Sequence, residues 1–296
     1  MWFPLALGAM LTLVLRRTTE KRLTGPIPAS SMAWIQQLAA MPFMLLLLPF
    51  AHFYTPDQLS LSFYIITGLY ILGTSIDAVL YFKAVEVGDM SIIAPLLSLA
   101  IVTGLAGSYV ILGQSPTWAG LLGCVCIMAG GYLASRRLAG HATTAANNRL
   151  AITIILILVV LRGIYGPSEV LVIRETNPIY FNFVTSLVGI PVIMLAMWLR
   201  GRQIGRDFLP SSSMDAIKHH RLGILFIGLT YTINLTATYT AKLLTPNAAY
   251  VTTIKGASVL PIVLIGMVFF QERVVRHQWF GLALLATGLA CFAIGG

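Results

Sequence analysis

From Trp2 to Gly295 the sequence is a succession of apolar runs, each about as long as a bilayer crossing, with short polar breaks between them. The runs fall at about 2–23, 31–51, 63–84, 90–112, 117–135, 150–173, 179–199, 222–242, 246–269 and 276–295. A helix needs about 20 such residues to cross a hydrocarbon core about 30 Å thick. Ten crossings consume nearly all of the 296 residues and leave no room for a soluble domain. Membrane strands would alternate apolar and polar residues over segments of about ten, whereas Met41 to Phe50 and Ile152 to Leu161 are continuously apolar. Helices satisfy their backbone groups within such runs, so the expected fold is an all-α polytopic membrane protein with ten transmembrane helices.

Composition agrees with that expectation. Only 10% of the residues are charged and 57% are hydrophobic, against about 25% charged in soluble domains. A nucleic-acid-binding module is excluded on this ground. The formal charge of +9 belongs in loops beside anionic lipid headgroups. Met1 to Pro4 carries no basic segment, so the first run reads as a retained helix rather than a signal peptide. Cys124, Cys126 and Cys291 have no disulfide or metal spacing and read as small buried hydrophobes. His52, His141, His219, His220 and His277 lie near the breaks, without a metal motif. No cofactor is expected.

The chain repeats itself. An offset of 149 carries Thr19 onto Ser168, Glu20 onto Glu169 and Pro42 onto Pro191. An offset of 158 carries Tyr81 onto Tyr239, Gln114 onto Glu272, Gly123 onto Gly281 and Gly130 onto Gly288. The nine extra residues are accounted for by the longer basic loop of the second half. Two five-helix repeats follow, 1–135 and 150–296, joined by a linker at 136–149. An odd number of crossings turns the second copy over, giving the inverted repeat found in many secondary transporters.

The residues closing each half carry a family resemblance. Leu112-Gly113-Gln114-Ser115-Pro116-Thr117-Trp118-Ala119-Gly120 followed by Gly123 and Gly130, and Phe269-Phe270-Gln271-Glu272-Arg273 followed by Gly281 and Gly288, resemble the paired "GE, then spaced Gly" signature of EamA-type proteins of the drug/metabolite transporter superfamily. The resemblance covers essentially the whole chain and implies a membrane transporter of five-plus-five helices. Gln114 stands where an acid is usual, so Glu272 reads as a structural helix-end residue rather than a transport residue.

Charges inside the runs mark the candidate site. Arg16, Arg17, Glu20, Asp77, Arg162, Glu169 and Lys255 fall within apolar spans. Each costs about 2.5–3.5 kcal/mol at the bilayer centre on insertion scales, and so should face a partner or a polar interior. Arg16 and Glu20 share a helix face, as do Arg162, Gly166 and Glu169 on the repeat-equivalent helix. Both repeats thus aim a cation and an acid at one central space. The alternative reading is intrahelical pairing, or snorkelling for Arg16 and Arg17 beside Lys21-Arg22. Lys255, near the middle of the ninth run, is the leading substrate or coupling-ion contact, with a salt bridge to Asp77 or Glu169 as its structural alternative.

Around these charges Tyr231, Asn234 and Thr238 form a polar stripe, and Gln36 and Gln37 align by repeat with Thr185 and Ser186. Substrate-binding candidates are therefore Lys255, Arg162, Glu169, Asn234, Thr238, Tyr231, Gln37, Tyr81 and Arg16. Asp77, Glu20 and Glu169 are the candidates for carrying a coupling proton. Gly281, Gly288 and Gly295 recur every seven residues, a seam for close helix packing or a homodimer contact.

The expected activity is secondary active transport of a small polar metabolite, zwitterionic or anionic and most simply amino-acid-like, across the cytoplasmic membrane by alternating access. The partners are a small-molecule substrate and membrane lipid, and the assembly is a monomer or homodimer. A flippase for lipid-linked substrates is the alternative, with an intramembrane lipid-modifying enzyme behind it. Orientation follows from counting bases. Lys21, Arg22, Lys83, Arg136, Arg137, Arg149, Arg200, Arg202, Arg206, Lys218, Arg221, Arg273 and Arg276 fall on one side, and Arg174 and Lys242 on the other. Thirteen against two puts the first side in the cytoplasm and both termini outside. The resemblance implies the reverse, but Met1 to Leu15 has no base to hold the N-terminus inside. Tags at both termini should be reached by a membrane-impermeant label in intact cells, and protection of both would reverse the assignment.

Overall fold

The computed structural model describes residues 1–23, 29–87, 96–135, 145–200, 219–270 and 276–295. Several sequence features lie outside the described residues: Gly25-Pro26-Ile27-Pro28, Asp89, most of the linker, the basic loop 201–218 and Gln271-Glu272-Arg273. Among the described residues the chain forms α1 (Trp2–Leu23), α2 (Ala29–Leu47), α3 (Leu61–Val87), α4 (Ala100–Leu112) and α5 (Trp118–Ser135) in the first half. The second half contributes α6 (Ala145–Glu175), α7 (Pro178–Arg200), α8 (Arg221–Leu244), α9 (Ala248–Gly256), α10 (Val259–Phe270) and α11 (Arg276–Gly295). No strand occurs among these residues. Five of the helices, α3, α6, α7, α8 and α11, are individually long and apolar enough to cross a membrane.

Burial is inverted relative to a water-soluble protein. Large apolar side chains such as Leu46, Leu69, Val110, Leu122, Val160 and Phe280 point outward, while Asn182, Ser186, Asn234, Thr238, Glu169 and Lys242 are buried. Hydrocarbon gives no reward for hiding leucine, and a steep penalty for exposing amide or charge.

The two halves interlock. In each, the first helix packs on the third helix of the other half: α1 on α8, and α6 on α3. The second helices, α2 and α7, meet each other and carry interior prolines at the repeat-equivalent Pro42 and Pro191. The last helices, α5 and α11, form an extensive contact. This is the ten-span architecture of two inverted five-helix repeats, with α9 and α10 as two parts of the ninth span.

That ninth span was expected as one run and is instead broken at Ala257-Ser258. Pro261 explains the position. It has no N–H to offer the Ala257 carbonyl, and its ring crowds that oxygen. The Ala257 carbonyl accepts from Leu260 N at 2.9 Å, a tight turn, before α10 resumes. The first half turns at the repeat-equivalent place. Leu99 N donates to Leu96 O at 3.1 Å, and Val102 N to Leu99 O at 3.0 Å, as Ala257 N does to Ile254 O at 3.0 Å. No proline stands at the equivalent Thr103, so in the first half the turn does not depend on one.

The glycine seam packs two helices of the same chain closely, as its spacing suggested. Gly130, Gly281 and Gly288 bring the backbones of α5 and α11 together. A Cβ built on Gly281 would lie 2.6 Å from Ala134 N, and one on Gly130 would lie 2.7 Å from Gly281 O. Neither backbone can yield cheaply. Gly281→Ala should therefore lower the melting temperature of the purified protein, at a cost of about 1–3 kcal/mol. Gly131→Ala, whose Cβ meets nothing within 4 Å, should not.

Candidate functional site

Among the described residues, ion pairs engage Glu20, Asp77 and Glu169. Along α1, Arg16 Nε lies 3.3 Å from Glu20 Oε1, and the guanidinium sits 5.1 Å from the centre of the Tyr231 ring. The spacing of four residues sets the first contact and the packing of α1 on α8 the second. Between the halves, Arg162 on α6 grips Asp77 on α3 through both carboxylate oxygens, at 2.7 and 2.9 Å. The third pair joins Lys242 on α8 to Glu169 on α6, with Lys242 Nζ also donating to Gly166 O at 3.1 Å.

Two expectations are corrected here. Arg162 and Glu169 share a helix face, but each finds its counter-charge on another helix. Lys242, counted among the outward-facing bases, is only 5% exposed. Its stem at the end of α8 reaches back to a carboxylate that would otherwise be buried alone.

Lys255 is the exception. It lies in the last turn of α9, where the dipole of the short helix favours a cation. Its Nζ donates to Asn234 Oδ1 at 3.2 Å and to Thr238 Oγ1 at 3.0 Å, both neutral oxygens of α8. Asn234 in turn donates through Nδ2 to Ala9 O and to Thr12 Oγ1, at 3.4 Å for the latter, so the chain of contacts ends on α1. Among the described residues no carboxylate pairs with Lys255. The expected structural alternative, a bridge to Asp77 or Glu169, is not formed, because both acids are already engaged.

Open space adjoins this network. Gly166 lies on the same face of α6 as Arg162 and Glu169, and a Cβ there would meet nothing within 4 Å. Lys255 and Tyr231 retain accessible surface, and Arg17 is exposed, although protein surrounds all three. Tyr231 faces Gln37 and Ser186. Gln37 Oε1 and Asn182 Oδ1 are buried acceptors without a hydrogen-bond partner among the described residues, and Asn182 Nδ2 donates to Thr236 Oγ1 at 3.3 Å. Buried polar atoms are rarely left so. Asn182 and Arg17 were not singled out as binding residues in the sequence. Asn182 lacks a match at a charged position, and Arg17 was grouped with the basic helix end.

The repeat-matched tyrosines part company. Tyr81 is half-buried and lies near Arg17 and Arg162. Tyr239 is buried in an aromatic cluster with Phe181, its hydroxyl 3.0 Å from that of Tyr70. Gln114, from the signature of the first half, works at a helix end: its Oε1 accepts from Ala248 N at 2.9 Å and its carbonyl from Asn247 Nδ2 at 3.0 Å. It therefore caps α9 of the opposite repeat. Glu272, its counterpart, lies outside the described residues.

Spans arranged in two swapped halves around buried charges define a multi-pass membrane transporter. Residues 1–136 and 149–294 match the EamA-like transporter family, and the chain belongs to that family, within the drug/metabolite transporters. No curated protein matches it by sequence. Among solved structures 27 chains match. One, titled only "Crystal structure of protein", shares 12% identity over 99% of this chain and 96% of its own, with a TM-score of 0.69. That likeness is one of fold.

Breaking the Arg162 to Asp77 pair from one side should cost about 3 kcal/mol or more, since it strands the other charge. Arg162→Gln and Asp77→Asn alone should each depress the melting temperature well below that of the double substitution. Equal, additive losses would show that the two side chains do not interact.

Proposed function

We propose that the chain is a secondary active transporter of the cytoplasmic membrane, moving a small polar metabolite with at least one negative charge by alternating access. The observation that supports this is Lys255, a cation deep in the fold, held by neutral oxygens beside accessible space. A purely structural lysine would be expected to take a carboxylate, as Lys242 does. Arg16, Tyr231, Asn234, Thr238 and Gln37 stand around it as binding wall, with Tyr81, Arg162 and Glu169 on the α3 and α6 side. The two repeats rock about this centre, and the turns in the fourth and ninth spans supply bending points, the ninth where Pro261 removes one helical hydrogen bond.

Coupling is assigned to the paired acids Asp77, Glu20 and Glu169. A proton arriving on Glu169 cancels its attraction for Lys242, freeing α8 from α6. The same exchange on Asp77 frees Arg162 and uncouples the halves at α3 and α6. Gradient energy is thereby spent on loosening contacts that otherwise hold one conformation.

In proteoliposomes with an imposed pH gradient, uptake of the transported solute should fall at least about tenfold in Lys255→Met, the loss of one charge-assisted contact. Glu169→Gln should abolish the dependence on the gradient. Wild-type uptake by folded Lys255→Met would refute the assignment of the site.

A further inference from the structure

The balance of charge around Lys255 specifies more than a polar solute. Among the described side chains, the charges within the apolar runs together with Lys242 make five cations, Arg16, Arg17, Arg162, Lys242 and Lys255, against three acids, Glu20, Asp77 and Glu169. Each acid is joined to one cation: Glu20 to Arg16, Asp77 to Arg162 and Glu169 to Lys242. Five less three leaves Arg17 and Lys255 without a carboxylate. These are also two of the charged groups that keep accessible surface inside the protein. Arg16, Lys242 and Arg17 repel the Lys255 ammonium, and Glu169 attracts it.

We infer that the transported solute is a small organic dianion, one negative group taken by Arg17 and the other by Lys255. This rests on the transport reading above and narrows its substrate. A guanidinium offers a planar fork that matches carboxylate or phosphate, and the ammonium keeps a third N–H beyond those given to Asn234 and Thr238. A dianion cancels the surplus of two. An amino-acid zwitterion leaves it uncancelled, because among the described residues the acids Glu20, Asp77 and Glu169 are already paired. Binding it would require one of the three ion pairs to open. A monoanion leaves one cation bare in a medium of low dielectric.

The test uses the full-length purified protein. Melting temperature is followed with succinate, glycerol 3-phosphate, lactate and alanine at equal concentration and neutral pH, with dissociation constants from the titrations. Succinate or glycerol 3-phosphate, a dicarboxylate and a phosphate monoester, should stabilise well beyond lactate and alanine, and the stronger of the two tells which group Arg17 prefers. Binding of that dianion should weaken at least about tenfold in Arg17→Gln and in Lys255→Gln, and less in Arg17→Lys, which keeps the charge and controls for folding. Alanine or lactate binding as well as either dianion overturns the inference. So does a dianion affinity unmoved in both Gln variants, or no response to either dianion. Uptake of the four solutes into vesicles separates this from the broader reading. Lys255-dependent alanine flux would defeat the dianion and leave transport standing, whereas dianion binding without flux of any solute would defeat transport.

Discussion

An ionised side chain surrounded by hydrocarbon must have a counter-charge, a dipole or water beside it, and the arrangement of these helices follows from that necessity. Asp77 cannot sit in α3 unless Arg162 on α6 faces it, and Glu169 cannot sit in α6 unless Lys242 on α8 does. Each bond crosses between helices that also interlock the two halves or line their centre. The charges therefore act less as isolated functional groups than as a wiring of the spans. What the wiring leaves over, Lys255 with its amide and hydroxyl partners and Arg17 with no paired carboxylate among the described residues, is where a solute can do what the protein's own acids do not.

A second constraint acts at the opposite extreme, through residues with nothing to offer but their small size. Lipid provides no solvophobic pressure to press α5 against α11, so the contact depends on backbones approaching closely at Gly123, Gly130, Gly281 and Gly288. The same device recurs where Gly107 meets the backbone of Gly163 and where Gly228 meets that of Ala39. Glycine thus sets the closest approaches, polar pairs set the rotation of helices about their axes, and the leucines outside settle neither.

Much of this was legible in the residues. The number of spans followed from apolar run length, and the two inverted halves from matches such as Glu20 with Glu169 and Pro42 with Pro191. The identity of charged candidates followed from their being where no charge is cheap. Pairing was not legible. Helical spacing puts Arg162 and Glu169 on one face, and nothing in a single helix reveals that Asp77 and Lys242 will reach them first from α3 and α8. Nor did run length disclose the gap at Ala257-Ser258, because small apolar residues read as continuous oil-soluble chain even where Pro261 interrupts the hydrogen bonding. Tyr81 and Tyr239, equivalent by repeat, took different surroundings because the repeats have diverged in what packs upon them.

Gln114 shows where such divergence leads. A carboxylate clasping the amino end of a neighbouring span holds it only while ionised, and its grip would vary with the acidity of the compartment it faces. A carboxamide accepts from Ala248 N at 2.9 Å whatever the proton concentration. The clasp on α9 is thus a permanent fastening, indifferent to pH, and the short helix bearing Lys255 keeps that end anchored however far the rest of the bundle tilts.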